Sequence, residues 1–239
     1  MGETSSVLFL RGDKKLKVYY ADVSPLNDDA LYQAFSALVW IERAQKAERY
    51  RFRSDRNLSL GAAALLWYGS KQIAPDAELH LAVTEHEQPY FENMTGLHFS
   101  LSHSGHYAMV AFSDYPIGCD IEQPGNLDMR IAKRFFCASE YNLIASQMDE
   151  NAQREMFYQL WTIKESYLKA IGLGLALPMN NFEVRKKSAG WEIVRDGAVV
   201  PYHVASYDLP EGFHSSLCTQ EMPHIPQEIS LRQIITEIG

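Results

Sequence analysis

The stretch Phe157-Tyr158-Gln159-Leu160-Trp161-Thr162-Ile163-Lys164-Glu165-Ser166-Tyr167-Leu168-Lys169 decides how this chain is read. Its apolar residues recur at helical spacing and predict an amphipathic helix. One residue breaks the pattern. Lys164 falls in the apolar stripe, with Leu160, Trp161, Tyr167 and Leu168 a turn away and Phe157 and Ile171 two turns away. A buried ammonium without a counter-ion loses its proton or destabilises the fold, so the expectation is a carboxylate or a phosphate facing Lys164 at a pocket wall. Glu165 and Lys169 lie on the next face, four residues apart. An exposed helix ion pair, worth ~0.2–0.5 kcal/mol, would account for those two alone. Lys164 is what points to a site.

Gly172, Gly174 and Pro178 stop this helix, and a β-rich region follows: Phe182 to Arg185, Trp191 to Val194, Val199 to Tyr207 and Phe213 to Cys218. Upstream lie two short helices, Asp128 to Phe136 and Glu140 to Ser146, the second with Ser139 as its N-cap. Before them, Pro116 introduces the strand Ile117 to Glu122, which alternates Ile117, Cys119 and Ile121 with Gly118, Asp120 and Glu122. A hairpin precedes it, Leu97 to Ser102 and Tyr107 to Phe112 around His103-Ser104-Gly105-His106. The first hundred residues read as strands Ser6 to Leu10 and Leu16 to Asp22, helices Asp28 to Ile41 and Leu58 to Lys71, and a strand Leu79 to Thr84. The fold class is therefore α+β, in two halves of similar content: residues 1–115, residues 116–222, and a tail, 223–239.

With 239 residues, 46% of them hydrophobic, the chain has enough apolar material for a real core. No apolar run approaches the ~20 residues of a membrane span, and the first residues lack the basic and apolar regions of a signal peptide, so the expected compartment is the cytoplasm and no membrane partner is expected. Three widely spaced cysteines fit neither a disulfide framework nor a zinc ribbon. A net charge of −8 argues against nucleic-acid binding, although six basic residues crowd Arg43 to Arg56, and that run reads by itself as a solvated helix face.

Asp120 and Glu122 share one face of a strand, where a hard divalent cation such as Mg²⁺ would resolve their repulsion. An exposed polar strand face is the plainer reading of the same pair. Gly118 leaves room beside Asp120 for a ligand, and His103 stands at a strand end, where it could meet a phosphate. No Walker or Rossmann glycine loop and no Gly-x-Ser-x-Gly nucleophile motif occurs. Acids, lysines, a histidine and a basic segment together suit a metal-assisted phosphate displacement without a covalent enzyme intermediate.

These residues, in this order, resemble the phosphopantetheinyl transferases of the monomeric type that activates surfactin synthetase. The resemblance runs from about Arg43 to Cys218. It is carried by Phe99-Ser100-Leu101-Ser102-His103-Ser104, Ile117-Gly118-Cys119-Asp120-Ile121-Glu122, Ile131-Ala132-Lys133-Arg134-Phe135-Phe136 with Glu140, and Trp161-Thr162-Ile163-Lys164-Glu165-Ser166 with Lys169. It implies two similar α/β halves related by a pseudo-twofold axis, with coenzyme A as co-substrate in the cleft between them. By that resemblance Asp120, Glu122 and Glu165 are the Mg²⁺ ligands, and Glu165, Lys169 and Lys164 the catalytic groups: Lys164 offsets developing charge, Lys169 protonates the leaving phosphate, and the base is Glu165 or a metal-bound water. His103, Lys164 and Lys169, with Ser102 and Pro89 beside them, contact the coenzyme, while Arg43, Lys46 and Arg56 or Ser59 match the basic region near its 3′-phosphate. One departure is clear: Glu87-Gln88-Pro89 stands where the family often has Gly-Lys-Pro. The implied activity is transfer of the 4′-phosphopantetheine arm to a serine of an apo acyl or peptidyl carrier protein by a monomeric enzyme. The rival reading is a metal-dependent nucleotide phosphohydrolase. In the transferase reading, Leu173, Leu175 and Leu177 are the expected apolar docking surface for the carrier.

Overall fold

The structure, a computed structural model, describes residues 16–238; the strand expected at Ser6 to Leu10 lies outside them. In the N-terminal half, β1 (Lys17–Asp22) leads into α1 (Asp29–Leu38), α2 (Ile41–Glu48) and the long α3 (Arg53–Ile73). A small hairpin, β2 (Leu81–Val83) with β3 (Pro89–Phe91), then precedes the main hairpin, β4 (His98–Ser104) with β5 (Tyr107–Ser113). Asp28 caps α1, its carboxylate accepting from the Ala30 and Leu31 amides, as its position before an apolar-periodic run predicts. The helix expected to run on to Ile41 instead breaks at Val39, which is extended, because the Trp40 indole N–H donates to the Leu79 carbonyl at 2.7 Å. That break swings α2 to a new direction and carries Arg43 and Lys46 with it.

The C-terminal half repeats the plan. β6 (Ile117–Glu122) leads through α4 (Met129–Phe135) and α5 (Ala138–Ala145) to the long α6 (Glu150–Ile171). The strands β7 (Phe182–Lys186), β8 (Trp191–Arg195), β9 (Ala198–Val199), β10 (His203–Tyr207) and β11 (His214–Thr219) follow. The expected strand Val199 to Tyr207 is divided around Pro201, which has no N–H to give a ladder. Cys137, not Ser139, is the N-cap of α5; the Ser139 hydroxyl donates instead to Glu183. Helix α6 begins seven residues before Phe157, at a cap in which Asp149 accepts from the Ala152 amide, and ends as expected at Gly172, whose φ of +71° is costly for residues with a Cβ.

Both halves thus run strand, helices ending in a long one, then hairpin, and in both the first strand pairs antiparallel with the second strand of the hairpin: β1 with β5, and β6 with β11. Each long helix packs on its own sheet and closes a separate core. A third core joins the halves, formed by Val18 and Tyr20 of β1, Met109 and Ala111 of β5, and Ile117, Cys119 and Ile121 of β6. The residues expected as a tail belong to the N-terminal half: β12 (Gln227–Glu228) pairs parallel with β1, and α7 (Leu231–Ile238) sends Leu231 and Ile234 into its core.

Two contacts set the site. Strands β4 and β6, edges of different sheets, meet through the hydroxyls of Ser100, Ser102 and Ser104, which accept from the amides of Cys119, Ile121 and Gln123 at 3.0, 3.3 and 3.1 Å. Gly118 does not leave room for a ligand; it is where α6 touches β6, and a Cβ there would lie 1.8 Å from the Ser166 carbonyl oxygen and 2.5 Å from the Ala170 nitrogen. Both are backbone atoms and move only with the helix. Gly118→Ala is therefore expected to cost about 2 kcal/mol or more in urea unfolding. An unchanged unfolding curve would show that the helix shifts freely.

Candidate active site

Close packing at Gly118 lays α6 across the polar face of β6, so residues 165 and 169, one turn apart, come to lie over Asp120. Between this wall and the N-terminal half is a cleft of about 400 Å³. The C-terminal half lines it with Asp120, Glu122, Trp161, Glu165 and Lys169, and the N-terminal half with Arg43 and Lys46 of α2, Pro89, and Leu101, Ser102 and His103 of β4. Lys169 does not pair with Glu165 along the helix. Its Nζ donates across the wall to Asp120 Oδ1 at 2.7 Å and to the Cys119 carbonyl at 3.1 Å. Burial opposes its charge, but Asp120, Cys119 and Glu165 more than offset this and leave its pKa raised.

The acids are crowded. Asp120 is buried; its Oδ1 accepts from Ser102 and Lys169, while its Oδ2, also buried, has no partner. Burial, then the neighbouring Asp120, push the Glu122 carboxyl up to about 7, against a hydrogen bond from Ser104 at 2.7 Å that favours the anion. Burial and Asp120 raise Glu165 as well. The facing wall is crowded with cations. Burial lowers Arg43, whose Nε is a buried donor without a partner, and lowers Lys46, further depressed by Arg43. His103 is open to solvent within the concave cleft, yet its enclosing walls and then Lys169 lower its pKa. One wall sets three carboxylates against a single cation, Lys169, and the other lines the cleft with Arg43, Lys46 and His103 and, among the described residues, no acid: the acids fit a further cation, the bases a phosphate.

By chemical type, the oxygen donors of Asp120, Glu122 and Glu165 fit Mg²⁺. Among the described residues no three His, Cys, Asp or Glu side chains stand in a closed ligand cage. An ion that takes one or two carboxylates, with water and phosphate completing its shell, needs none, and the unpartnered Asp120 Oδ2 is an oxygen of the kind such an ion takes.

Several expectations need correction. Lys164 does not reach the cleft. It is fully buried, and its Nζ lies 2.8 Å from Glu140 Oε1 while donating to the Met179 and Phe182 carbonyls at 2.8 and 2.7 Å. The required anion is present, but it is a carboxylate of α5 inside the C-terminal core. Arg56 is held by the Tyr50 carbonyl and by Glu48, and Ser59 is buried in α3; neither lines the cleft. The Ser102 hydroxyl is committed to Asp120. Leu177 is buried, which removes it from an apolar docking surface, and Leu173 is partly buried against the same core. The basic run is not simply a solvated face either, since Arg43 and Lys46 turn into the cleft.

The profile of the 4′-phosphopantetheinyl transferase superfamily matches residues 116–218. The 4′-phosphopantetheinyl transferase Sfp of Bacillus subtilis (strain 168) is 32% identical over 222 residues, spanning 90% of this chain and 97% of its own. The 4′-phosphopantetheinyl transferase gsp of Aneurinibacillus migulanus is 32% identical over 206 residues, 85% of this chain and 86% of its own. This chain belongs to the 4′-phosphopantetheinyl transferase superfamily. A solved holo-[acyl-carrier-protein] synthase of Thermotoga maritima overlays 45% of the chain, and 64% of itself, at a TM-score of 0.38 and 20% identity.

In this transferase the departure at Glu87-Gln88-Pro89 has a structural use. The Gln88 Nε2 donates to the Lys169 carbonyl at 2.8 Å, fastening the last turn of α6 to the N-terminal half. Sequence reasoning did not single out Trp161 as a wall of the cleft, nor Ser104 as the donor to Glu122; the alternation of Ser100, Ser102 and Ser104 was the available signal.

The strained carboxylates predict a pH effect. Glu122 titrates at about 7 when folded against an ordinary 4.5, so between those values the folded chain keeps a proton that the unfolded chain has lost. Stability from this group therefore falls as pH rises through that window, and above 7 the whole cost is present. Glu122→Gln should raise the melting temperature of the ligand-free transferase at pH 8, by the equivalent of roughly 1–3 kcal/mol, and change it little at pH 4.5. Equal effects at both pH values would refute the assignment.

Proposed function

We propose that this enzyme transfers the 4′-phosphopantetheine arm of coenzyme A to a serine of an apo acyl or peptidyl carrier protein, with Mg²⁺, releasing adenosine 3′,5′-bisphosphate. The observation that carries the reading is the cleft itself, in which three carboxylates with Lys169 face Arg43, Lys46 and His103. Arg43, with its unpartnered Nε, and Lys46 suit the phosphates of the nucleotide end. Asp120, Glu122 and Glu165 would hold the metal, which when bound supplies positive charge to the pyrophosphate.

In the transfer, the carrier serine Oγ bonds to the phosphorus bearing the pantetheine arm, and the bond from that phosphorus to the bridging oxygen breaks. Glu165, which lines the same wall as Asp120 and Lys169, takes the serine proton. Lys169, fixed by Asp120 and the Cys119 carbonyl, offsets charge on the leaving phosphate and protonates it. Lys164 takes no part, its charge being matched within the core by Glu140. A monomer is sufficient, because a single chain contributes both walls. Cys119, Cys137 and Cys218 are free thiols, in keeping with a reducing cytoplasm, and among the described residues no helix is long and apolar enough to cross a membrane.

The test is incubation with fluorescent coenzyme A, Mg²⁺ and a panel of apo carrier proteins. Label should appear on a carrier only when its acceptor serine is intact and Mg²⁺ is present. Phosphate release without labelled carrier would overturn the proposal.

A further inference from the structure

The seam between β4 and β6 joins two sheet edges without a backbone ladder. In place of carbonyls, β4 offers the hydroxyls of Ser100, Ser102 and Ser104, at alternate positions, to the amides of Cys119, Ile121 and Gln123. A hydroxyl that accepts an N–H still has its own proton to give. Ser102 gives it to Asp120 Oδ1 and Ser104 to Glu122 Oε2, both at 2.7 Å. Each carboxylate is thus tied, through one hydroxyl, to the rigid backbone of its own strand. Ser100 makes the same amide contact but meets no carboxylate.

We propose that Ser104, with Ser102, is a positioning residue for the metal: the two hydroxyls fix the directions of Glu122 and Asp120 so that their remaining oxygens converge in the cleft. Two carboxylates this close repel and, if free, would swing apart or each take up water. A charge-assisted hydrogen bond from an immobilised hydroxyl holds each in one rotamer before the cation arrives. The unpartnered Asp120 Oδ2 is the oxygen left over from this arrangement. The same three serines also join the halves, so the aim of the carboxylates and the register of β4 against β6 are fixed together. The inference rests on the functional reading above, since it supposes that a divalent cation binds there.

The experiment separates positioning from simple cohesion. Mn²⁺ binding in the presence of coenzyme A is followed by electron paramagnetic resonance, and thermal unfolding is recorded for the same full-length proteins. Ser104→Ala should weaken Mn²⁺ binding about 10–100-fold, the range for losing a partner that orients a metal ligand. Ser100→Ala, which removes a rung but touches no carboxylate, should lower the melting temperature comparably while leaving Mn²⁺ binding within about twofold. Ser104→Thr, which keeps the hydroxyl, should restore binding to near the parent value. Should Ser104→Ala not fold, Ser104→Cys has nearly the same shape with a weak donor and is expected to show the same loss. Equal changes in Mn²⁺ affinity for Ser100→Ala and Ser104→Ala, or no change in either, would overturn the proposal. A parent protein that binds no Mn²⁺ would overturn the functional reading, and this inference with it; a parent that labels carriers while Ser104→Ala binds Mn²⁺ normally would overturn this inference alone.

Discussion

Replacing Lys164 by Met is expected to cost the protein about 3–5 kcal/mol of stability, the range for removing one partner of a buried ion pair. With domain stabilities of about 5–15 kcal/mol, that is a large fraction of the total. The stem of Met fills the same space, so packing is not what is lost. The loss is electrostatic. Glu140, itself 1% exposed, would be left with only the amides of Cys137 and Val184 as partners, and the Met179 and Phe182 carbonyls would lose their ammonium donor. The Phe182 ring, 4.2 Å from the Nζ, would lose its cation as well. Burial lowers the Lys164 pKa, against the pull of Glu140. Urea unfolding and the turnover of the remaining folded fraction decide the matter. Turnover per folded molecule should stay within a few-fold of the parent. A variant of parental stability with turnover reduced 10²–10³-fold would return Lys164 to the phosphates.

Asp120→Asn should have the opposite signature: turnover reduced by about 10²–10³-fold with the fold intact. The amide keeps the volume and can still accept from Ser102. What disappears is the charge that faces Lys169 and leaves the buried Oδ2 to a cation. Lys169, with 27% of its side chain exposed, can turn to water, so the cost in stability should be small. Circular dichroism, carrier labelling at saturating coenzyme A, and titration with EDTA on the parent enzyme are the measurements. Near-parental turnover for Asp120→Asn at saturating coenzyme A and Mg²⁺ would remove Asp120 from the metal site.

The sequence carried the elements whose signals are local. Alternation along Ile117 to Glu122 gave both faces of that strand correctly, and the stop at Gly172 needed only the backbone freedom of glycine. Lys164 shows where local reasoning ends. Its place in an apolar stripe correctly demanded an anion, but α5 and α6 are separate helices, and nothing in the order of residues says that Glu140 comes across to meet it. The motif that supplied Glu140 as part of a family pattern did not supply its partner. The basic run failed for a similar reason: the break at Val39 depends on the Trp40 indole finding the Leu79 carbonyl, a contact 39 residues away in sequence. Gly118 reads as space in the sequence and is close contact in the fold, because a missing side chain looks the same in a sequence whether a ligand or a helix takes its place. Ser104 was visible as one of three alternating serines, but its value lies in what β6 presents to it across the seam.

The parallel pairing of β12 with β1 has a consequence for the order in which the molecule can be made. Residues 227–238 are synthesised only after the whole C-terminal half, yet Ile229, Leu231 and Ile234 are part of the N-terminal core. On the ribosome the first half therefore emerges with an edge of its sheet unpaired and part of its apolar interior open, and must wait for a segment more than a hundred residues downstream. The second half, continuous in sequence, can close first and present β6 as a template for β4. Vectorial synthesis would then build this enzyme from the middle outward, with the seam between β4 and β6 formed before the first half is sealed.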